Sequence, residues 1–289
     1  MTAVQRDEPA RDPDELVREA LGRYDERFLD CDPGRRRRMA ADTREVLDAW
    51  LTDEVRARLP VGHRMRAFCV RHDLLEELAR LIGDEAAGRR EGAVVVGGRV
   101  YAVYPYLRGV PRRDADITAE VGVEHRLTEV SWAGGALRIR GLAAIERVAA
   151  RDTTVEIVVR DRASGAELRV AAEPDTTAAE HAGFADRPSG GGAGTVFVAE
   201  IPLGALRAGQ WDVHVSVRAL GLTRQAPLGA GGAAGAHARL EAAYLDRPEA
   251  TAYFTGDGGL AIAVRGPAGR LVRRWWRRLT RRGATTGRG

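Results

Sequence analysis

The chain has 289 residues with 44% apolar and 30% charged side chains, ordinary for a folded protein with room for two domains, and only Cys31 and Cys69, which excludes a disulfide-stapled framework. All 45 basic residues are arginine; eight fall in the last twenty positions, so removing them from a net charge of +4 leaves −4 for the rest. The basic character belongs to the carboxy-terminal tail, which disfavours nucleic acid as a partner of the body.

Residues 1–11 alternate charges with small side chains, carry no apolar run, and are read as disordered rather than as a signal peptide. The first helix opens at Asp12-Pro13-Asp14-Glu15, which supplies an N-cap, a proline at the first helical position and an acid in the first turn. Leu16, Val17, Ala20, Leu21, Tyr24 and Phe28 follow on one face. Asp32-Pro33 repeats the start signal, and the spacing from Met39 through Trp50 to Leu59 predicts one amphipathic helix ending at Pro60. A third segment carries Met65, Phe68 and Cys69, and Asp73 with Glu76 reads as a capping box for a last short helix.

From Ala93 the period changes to two. Val94–Val96, Gly97-Gly98 and Arg99–Tyr104 predict a hairpin. Eight strand-like runs follow, over 127–132, 136–141, 153–160, 167–172, 195–201, 211–218, 251–254 and 260–264. Val213, Val215 and Val217 alternate with Asp212, His214 and Ser216, as in a half-buried antiparallel strand, and the set favours a β-sandwich. The expected class is α+β. Residues 12–113 form a helical domain with a hairpin, 114–268 an all-β immunoglobulin-like sandwich, and 269–289 a basic amphipathic helix. The glycine-rich stretches 190–194 and 229–235 are loops, since no Lys-Ser/Thr follows them as a P-loop requires.

Candidate chemistry is sparse. Asp114 and Asp116 are the best placed of three Asp-x-Asp pairs for a divalent cation, but no nucleotide-binding unit precedes them and a surface turn explains them equally well. His63, Cys69 and His72 match no zinc spacing, so packing or surface roles are favoured. None of the four serines, Ser131, Ser164, Ser189 and Ser216, sits in Gly-x-Ser-x-Gly, and His125, His181, His214 and His237 have no assignable partner. Trp132 and Trp211 could stack on a sugar, but their strand patterns favour the sandwich core. No catalytic residue, cofactor site or metal site is expected in this chain, and whether it is an enzyme stays open.

In the tail, Leu271, Val272, Trp275, Trp276 and Leu279 form one helical stripe flanked by guanidinium groups. About 13 residues at roughly 1.5 Å each reach about 20 Å, enough to lie on a bilayer but not to cross it. An anionic membrane surface is the expected partner, with Arg273, Arg274, Trp275, Trp276, Arg277 and Arg278 as its contact residues.

Phe28-Leu29-Asp30 with the arginine run 35–38, Leu59-Pro60 with Arg64-Met65-Arg66, and the segment Asp73–Leu78 resemble the linker after the catalytic domain of family-2 glycosyltransferases of Gram-positive cell-wall synthesis. Wall teichoic acid glycosyltransferases are the best-known members. Gly98–Tyr106 is similar to the short sheet that ends that linker. Leu127–Trp132, Gly209–Val213 and Leu220–Arg224 resemble the immunoglobulin-like carboxy-terminal domain of actinobacterial members. The resemblance implies a nucleotide-sugar-binding GT-A domain elsewhere, in cis or in trans, with this chain beginning near where that domain ends. It further implies a homo-oligomer, a trimer in known cases, and wall-polymer glycan as a further partner. The expected role is a non-catalytic scaffold of a teichoic-acid-type glycosyltransferase, cytoplasmic and peripheral at the inner face of the membrane. The alternative is a stand-alone carbohydrate-binding or protein-interaction module.

Overall fold

The computed structural model describes residues 12–89, 91–150, 152–175, 194–229 and 245–266. They fall into two compact units that divide between Val121 and Gly122.

The first unit begins with α1 (Pro13–Gly22), where the Asp12 carboxylate accepts from the Asp14 amide at 3.1 Å. After a 3-10 turn at Glu26–Phe28 comes α2 (Pro33–Trp50), capped by Asp32, which accepts from the Arg35 amide at 3.0 Å. Each cap satisfies an amide that the helix itself leaves without a partner. The helix expected to run on to Leu59 instead breaks at Leu51. Thr52 accepts from the Val55 amide at 3.2 Å and starts a separate helix, α3 (Asp53–Arg58), which leaves Trp50 44% exposed at the break. Helix α4 (Val61–Arg71) starts after Pro60, and α5 (Leu75–Ala86) follows without a side-chain cap. The expected Asp73–Glu76 capping box therefore does not form. Asp73 takes a left-handed backbone (φ 56°), and its carboxylate meets Arg44 at 3.5 Å. Val17, Tyr24, Phe28, Leu47, Met65 and Leu78 build the core, with the Tyr24 and Phe28 rings edge to face at 5.1 Å.

Strands β1 (Gly92–Val96) and β2 (Arg99–Val103) form the expected hairpin, turned by Gly97 and Gly98 at φ 58° and 73°. Two consecutive left-handed residues match the strand twist, and glycine adopts them at no steric cost. A single turn, α6 (Arg112–Ala115), completes the unit.

The second unit contains β3 (Val123–Ala133), β4 (Ala136–Ile145), β5 (Thr153–Asp161), β6 (Glu167–Ala171), β7 (Glu173–Pro174), β8 (Thr195–Pro202), β9 (Gly209–Ala219), β10 (Leu222–Pro227), β11 (Leu245–Asp246), β12 (Ala250–Phe254) and β13 (Leu260–Val264). One sheet runs β3-β4-β8-β7. The other runs β11-β12-β13-β9-β5-β6, with β10 sharing the β13 edge of β9, and the pairings within both sheets are antiparallel. The sheets face each other through β4 and β9 and through β5 and β8. Between them lie Leu137, Ile139, Phe197, Ile157, Val213 and Val215. Alternation in β9 holds through Val217, except that Ser216 is buried as well. Gly141 is required where it stands: a Cβ there would lie 2.5 Å from the Arg126 carbonyl and 3.2 Å from the Phe197 ring, beside the register shift between Leu127 and Glu129. The molecule is thus α+β, a helical unit followed by a β-sandwich. The expectations for residues 1–11 and 269–289 lie outside the described residues.

Candidate functional site

The two acids singled out for a cation bind the polypeptide itself. Asp114, 2% exposed, takes both of its carboxylate oxygens to Arg56 Nη1 at 2.9 and 3.2 Å. It is a buried ion pair, not part of a surface turn. Asp116 accepts from Arg99 at 2.7 Å and from the Thr118 amide and hydroxyl at 2.9 and 2.5 Å. Burial acts to raise the Asp116 pKa, but these hydrogen bonds outweigh it and hold the carboxyl below its usual range. Arg64 spans the same segment, donating to the Asp116 carbonyl at 2.8 Å and to the Glu120 carboxylate. These contacts fasten residues 111–120 to α3 and α4, and both carboxylates have their charge balanced by arginine.

His63, Cys69 and His72 occupy three separate environments along and just after α4. Burial, with Arg66 and Arg18 nearby, lowers the His63 pKa to about 4. Burial pushes the Cys69 thiol up to about 12, so it is an inert core thiol at neutral pH. The His72 ring packs at 4.5 Å from Phe68. Among the described residues no group of three or more His, Cys, Asp or Glu is placed to hold a metal ion.

The serine and histidine candidates do not converge either. Ser131 donates to Glu129 at 2.8 Å, Ser164 accepts from the Ala166 amide at 3.3 Å, and Ser216 is buried in β9. His125 Nε2 accepts from the Gly229 amide at 3.3 Å, and burial lowers the pKa of both His125 and His214. Ser189, His181 and His237 lie outside the described residues. Of the two tryptophans expected in the core, Trp211 is there, 4% exposed with its indole N–H donating to the Arg207 carbonyl at 3.0 Å. Trp132 is not. It is half-buried on β3 at the sheet edge, and the Arg247 guanidinium covers its ring at 5.2 Å.

The recess that sequence reasoning missed is a cleft of about 310 Å³ in the first unit, between α5 and the chain that leaves β2. Arg80 and Asp84, one turn apart on α5, form one wall; Tyr104 and Tyr106 form the other. The tyrosine rings meet edge to face at 6.2 Å, and Arg80 lies over the Tyr106 ring at 4.4 Å. The Tyr106 hydroxyl oxygen is buried beside Asp84 without a hydrogen bond of ordinary geometry, and burial together with the Asp84 charge and its weak hydrogen bond raises the pKa well above the usual phenol value. Arg89 holds Asp84 at 2.7 Å, and Arg66 holds Glu85. The available signal was the Tyr-Pro-Tyr that follows the hairpin, opposite an arginine and an acid spaced i, i+4.

Arg273, Arg274, Trp275, Trp276, Arg277 and Arg278 lie outside the described residues. No helix among the described residues is long and apolar enough to cross a membrane.

The comparisons divide the chain in the same way, into a helical part and a β-sandwich. Residues 3–82 match the family described as "Glycosyl transferase TarS linker domain", and residues 116–264 match "TarS beta-glycosyltransferase C-terminal domain 1". The second match spans more than half of the chain, which belongs to the TarS beta-glycosyltransferase C-terminal domain 1 family. No curated protein sequence matches it. Two solved structures are similar. The crystal structure of S. aureus TarS is 11% identical with a TM-score of 0.37, over 82% of this chain and 40% of that one. S. aureus TarS 217-571 is 10% identical with a TM-score of 0.43, over 87% and 76%. The chain thus spans about two fifths of the length of the first.

Proposed function

We propose that this chain is the non-catalytic scaffold of a wall teichoic acid glycosyltransferase, joining its subunits as a homo-oligomer and placing the catalytic domain at the cytoplasmic face of the membrane. The observation that carries the reading is the succession, on one chain, of a TarS linker and a TarS C-terminal domain. Supporting it, Asp114, Asp116 and Cys69 are committed to holding the fold. The tail 270–289 supplies the placement: each arginine near an anionic leaflet contributes up to about 1 kcal/mol, and tryptophan favours the headgroup level. A lipid-linked acceptor is confined to two dimensions, so a transferase held on the same surface meets it at raised effective concentration.

Liposome sedimentation tests the placement. The full chain is expected to sediment with anionic vesicles, less so at high salt, and a chain without residues 270–289 is expected to stay in the supernatant. Equal binding by both forms removes the tail from the account. The second reading, a carbohydrate-binding module, draws on the cleft beside Tyr106 more than on the sandwich, where Trp211 is buried.

A further inference from the structure

The cleft between α5 and the end of the hairpin holds polar groups with no structural task. Arg80 makes no hydrogen bond or ion pair among the described residues and rests on the face of the Tyr106 ring. The Tyr106 hydroxyl is buried beside Asp84 without a hydrogen bond of ordinary geometry, so its hydrogen-bonding capacity is poorly used, an arrangement that native structures rarely leave uncompensated. A ligand atom at that position would satisfy it. The α5 wall also offers the acceptor oxygens of Asp84, whose charge Arg89 already balances.

The balance of charge says what kind of ligand fits. Arg89 balances Asp84 and Arg66 balances Glu85, which leaves Arg80 and Glu91 of opposite sign, so the lining carries no net charge and suits a neutral ligand better than a phosphate or carboxylate. Donors from Arg80 and Tyr106 line the cleft together with acceptors on Asp84, with the edge and face of two tyrosine rings beside them. Hydroxyl groups both donate and accept, and the C–H faces of a sugar or polyol pack on aromatic rings. The volume of about 310 Å³ sits at the lower end of the roughly 300–1,000 Å³ usual for small-molecule sites, which limits the occupant to one small ring or a short polyol.

We propose that this cleft is a binding site for a neutral sugar or polyol unit, with Arg80 and Tyr106 donating to its hydroxyls, Asp84 accepting from them, and Tyr104 packing against its carbon skeleton. The site lies wholly within the first unit and does not depend on the tail, on oligomerisation or on the transferase reading.

Saturation-transfer NMR on the full chain tests it, with glycerol, sorbitol, glucose, N-acetylglucosamine and inorganic phosphate as separate probes. At least one neutral probe is expected to receive saturation, and phosphate is not expected to displace it. Tyr106→Phe and Arg80→Leu are each expected to weaken that binding about tenfold, while Arg162→Ala on the sandwich leaves it unchanged. Because Tyr106→Phe deletes a buried hydroxyl that makes no well-formed hydrogen bond, it should melt no lower than the parent, which separates lost binding from lost folding. The proposal fails if no neutral probe binds at millimolar concentration, if phosphate competes for the site, or if binding survives in both variants.

Discussion

At the scale of single residues, buried charge is retained where it pins one segment to another. Asp114 and Arg56 are 58 positions apart, and their pairing holds α6 against α3. Removing one partner strands the other in a low-dielectric site, which typically costs about 3–5 kcal/mol, whereas replacing both with apolar groups is often far milder. Asp114→Ala is therefore expected to lower the urea midpoint of the helical circular-dichroism signal, and Arg56→Met/Asp114→Leu to recover part of that loss. A loss in the double variant as large as the Asp114→Ala and Arg56→Met losses added together would show that the charges contribute nothing as a pair. His63 gives a pH signature. Its folded pKa of about 4 lies below the ordinary 6.5, so between those values the unfolded chain takes up a proton that the folded chain refuses. Stability is expected to fall as pH drops from 6.5 towards 4, with His125 and His214 acting in the same direction. In His63→Gln the slope should be shallower, and an unchanged slope would place the proton elsewhere.

At the scale of elements, the hairpin of β9 and β10 carries an unusual turn. Leu220 and Gly221 have φ of 50° and 79°, the left-handed pair that Asn-Gly serves best, yet the first position is a leucine with 54% of its surface exposed. A left-handed L-residue costs about 1–2 kcal/mol. Leu220→Asn is expected to raise the melting transition of the sandwich by the equivalent of about 1 kcal/mol. A lower transition would mean that Leu220 makes a stabilising contact. Helix starts at Asp12 and Asp32 were legible because a cap is a local event, and so was the Gly97-Gly98 hairpin. The break at Leu51 was less so, since the apolar period continues across it while the Thr52 cap interrupts the backbone. All eight expected strands are present. Strands β7 and β11, two residues each, exist only through their partners, and β10 alternates in burial although its residues, Leu222 to Pro227, show no clear apolar alternation. The need for Gly141 is equally invisible locally, because the Arg126 carbonyl and the Phe197 ring that crowd it come from other strands. The cleft escaped for the same reason, its two walls being brought together by tertiary packing.

At the scale of the whole molecule, the chain joins two units of different construction. Neighbours along the sequence make most of the first, and strand pairs such as β4 with β8, more than fifty residues apart, make the second. The periodicity change near Ala93 marked the onset of strands rather than the boundary between the units at Val121–Gly122, and strand order could not be read from it, because the central position of β9 between β5 on one side and β10 and β13 on the other is set by long-range pairing. A linker and a C-terminal domain of the TarS families have no transfer chemistry to perform in the scaffold account; their effect is to decide where, and beside which copies, transfer occurs. The most direct measurement is sugar transfer by a wall teichoic acid glycosyltransferase catalytic domain, joined to or mixed with this chain, onto a polyol-phosphate acceptor anchored in anionic vesicles. The account expects this chain to raise the rate on the anchored acceptor, to leave the rate on a soluble acceptor little changed, and to lose the gain without residues 270–289. Transfer that is equally fast with and without the chain on both acceptors, or turnover by the chain alone, would contradict it.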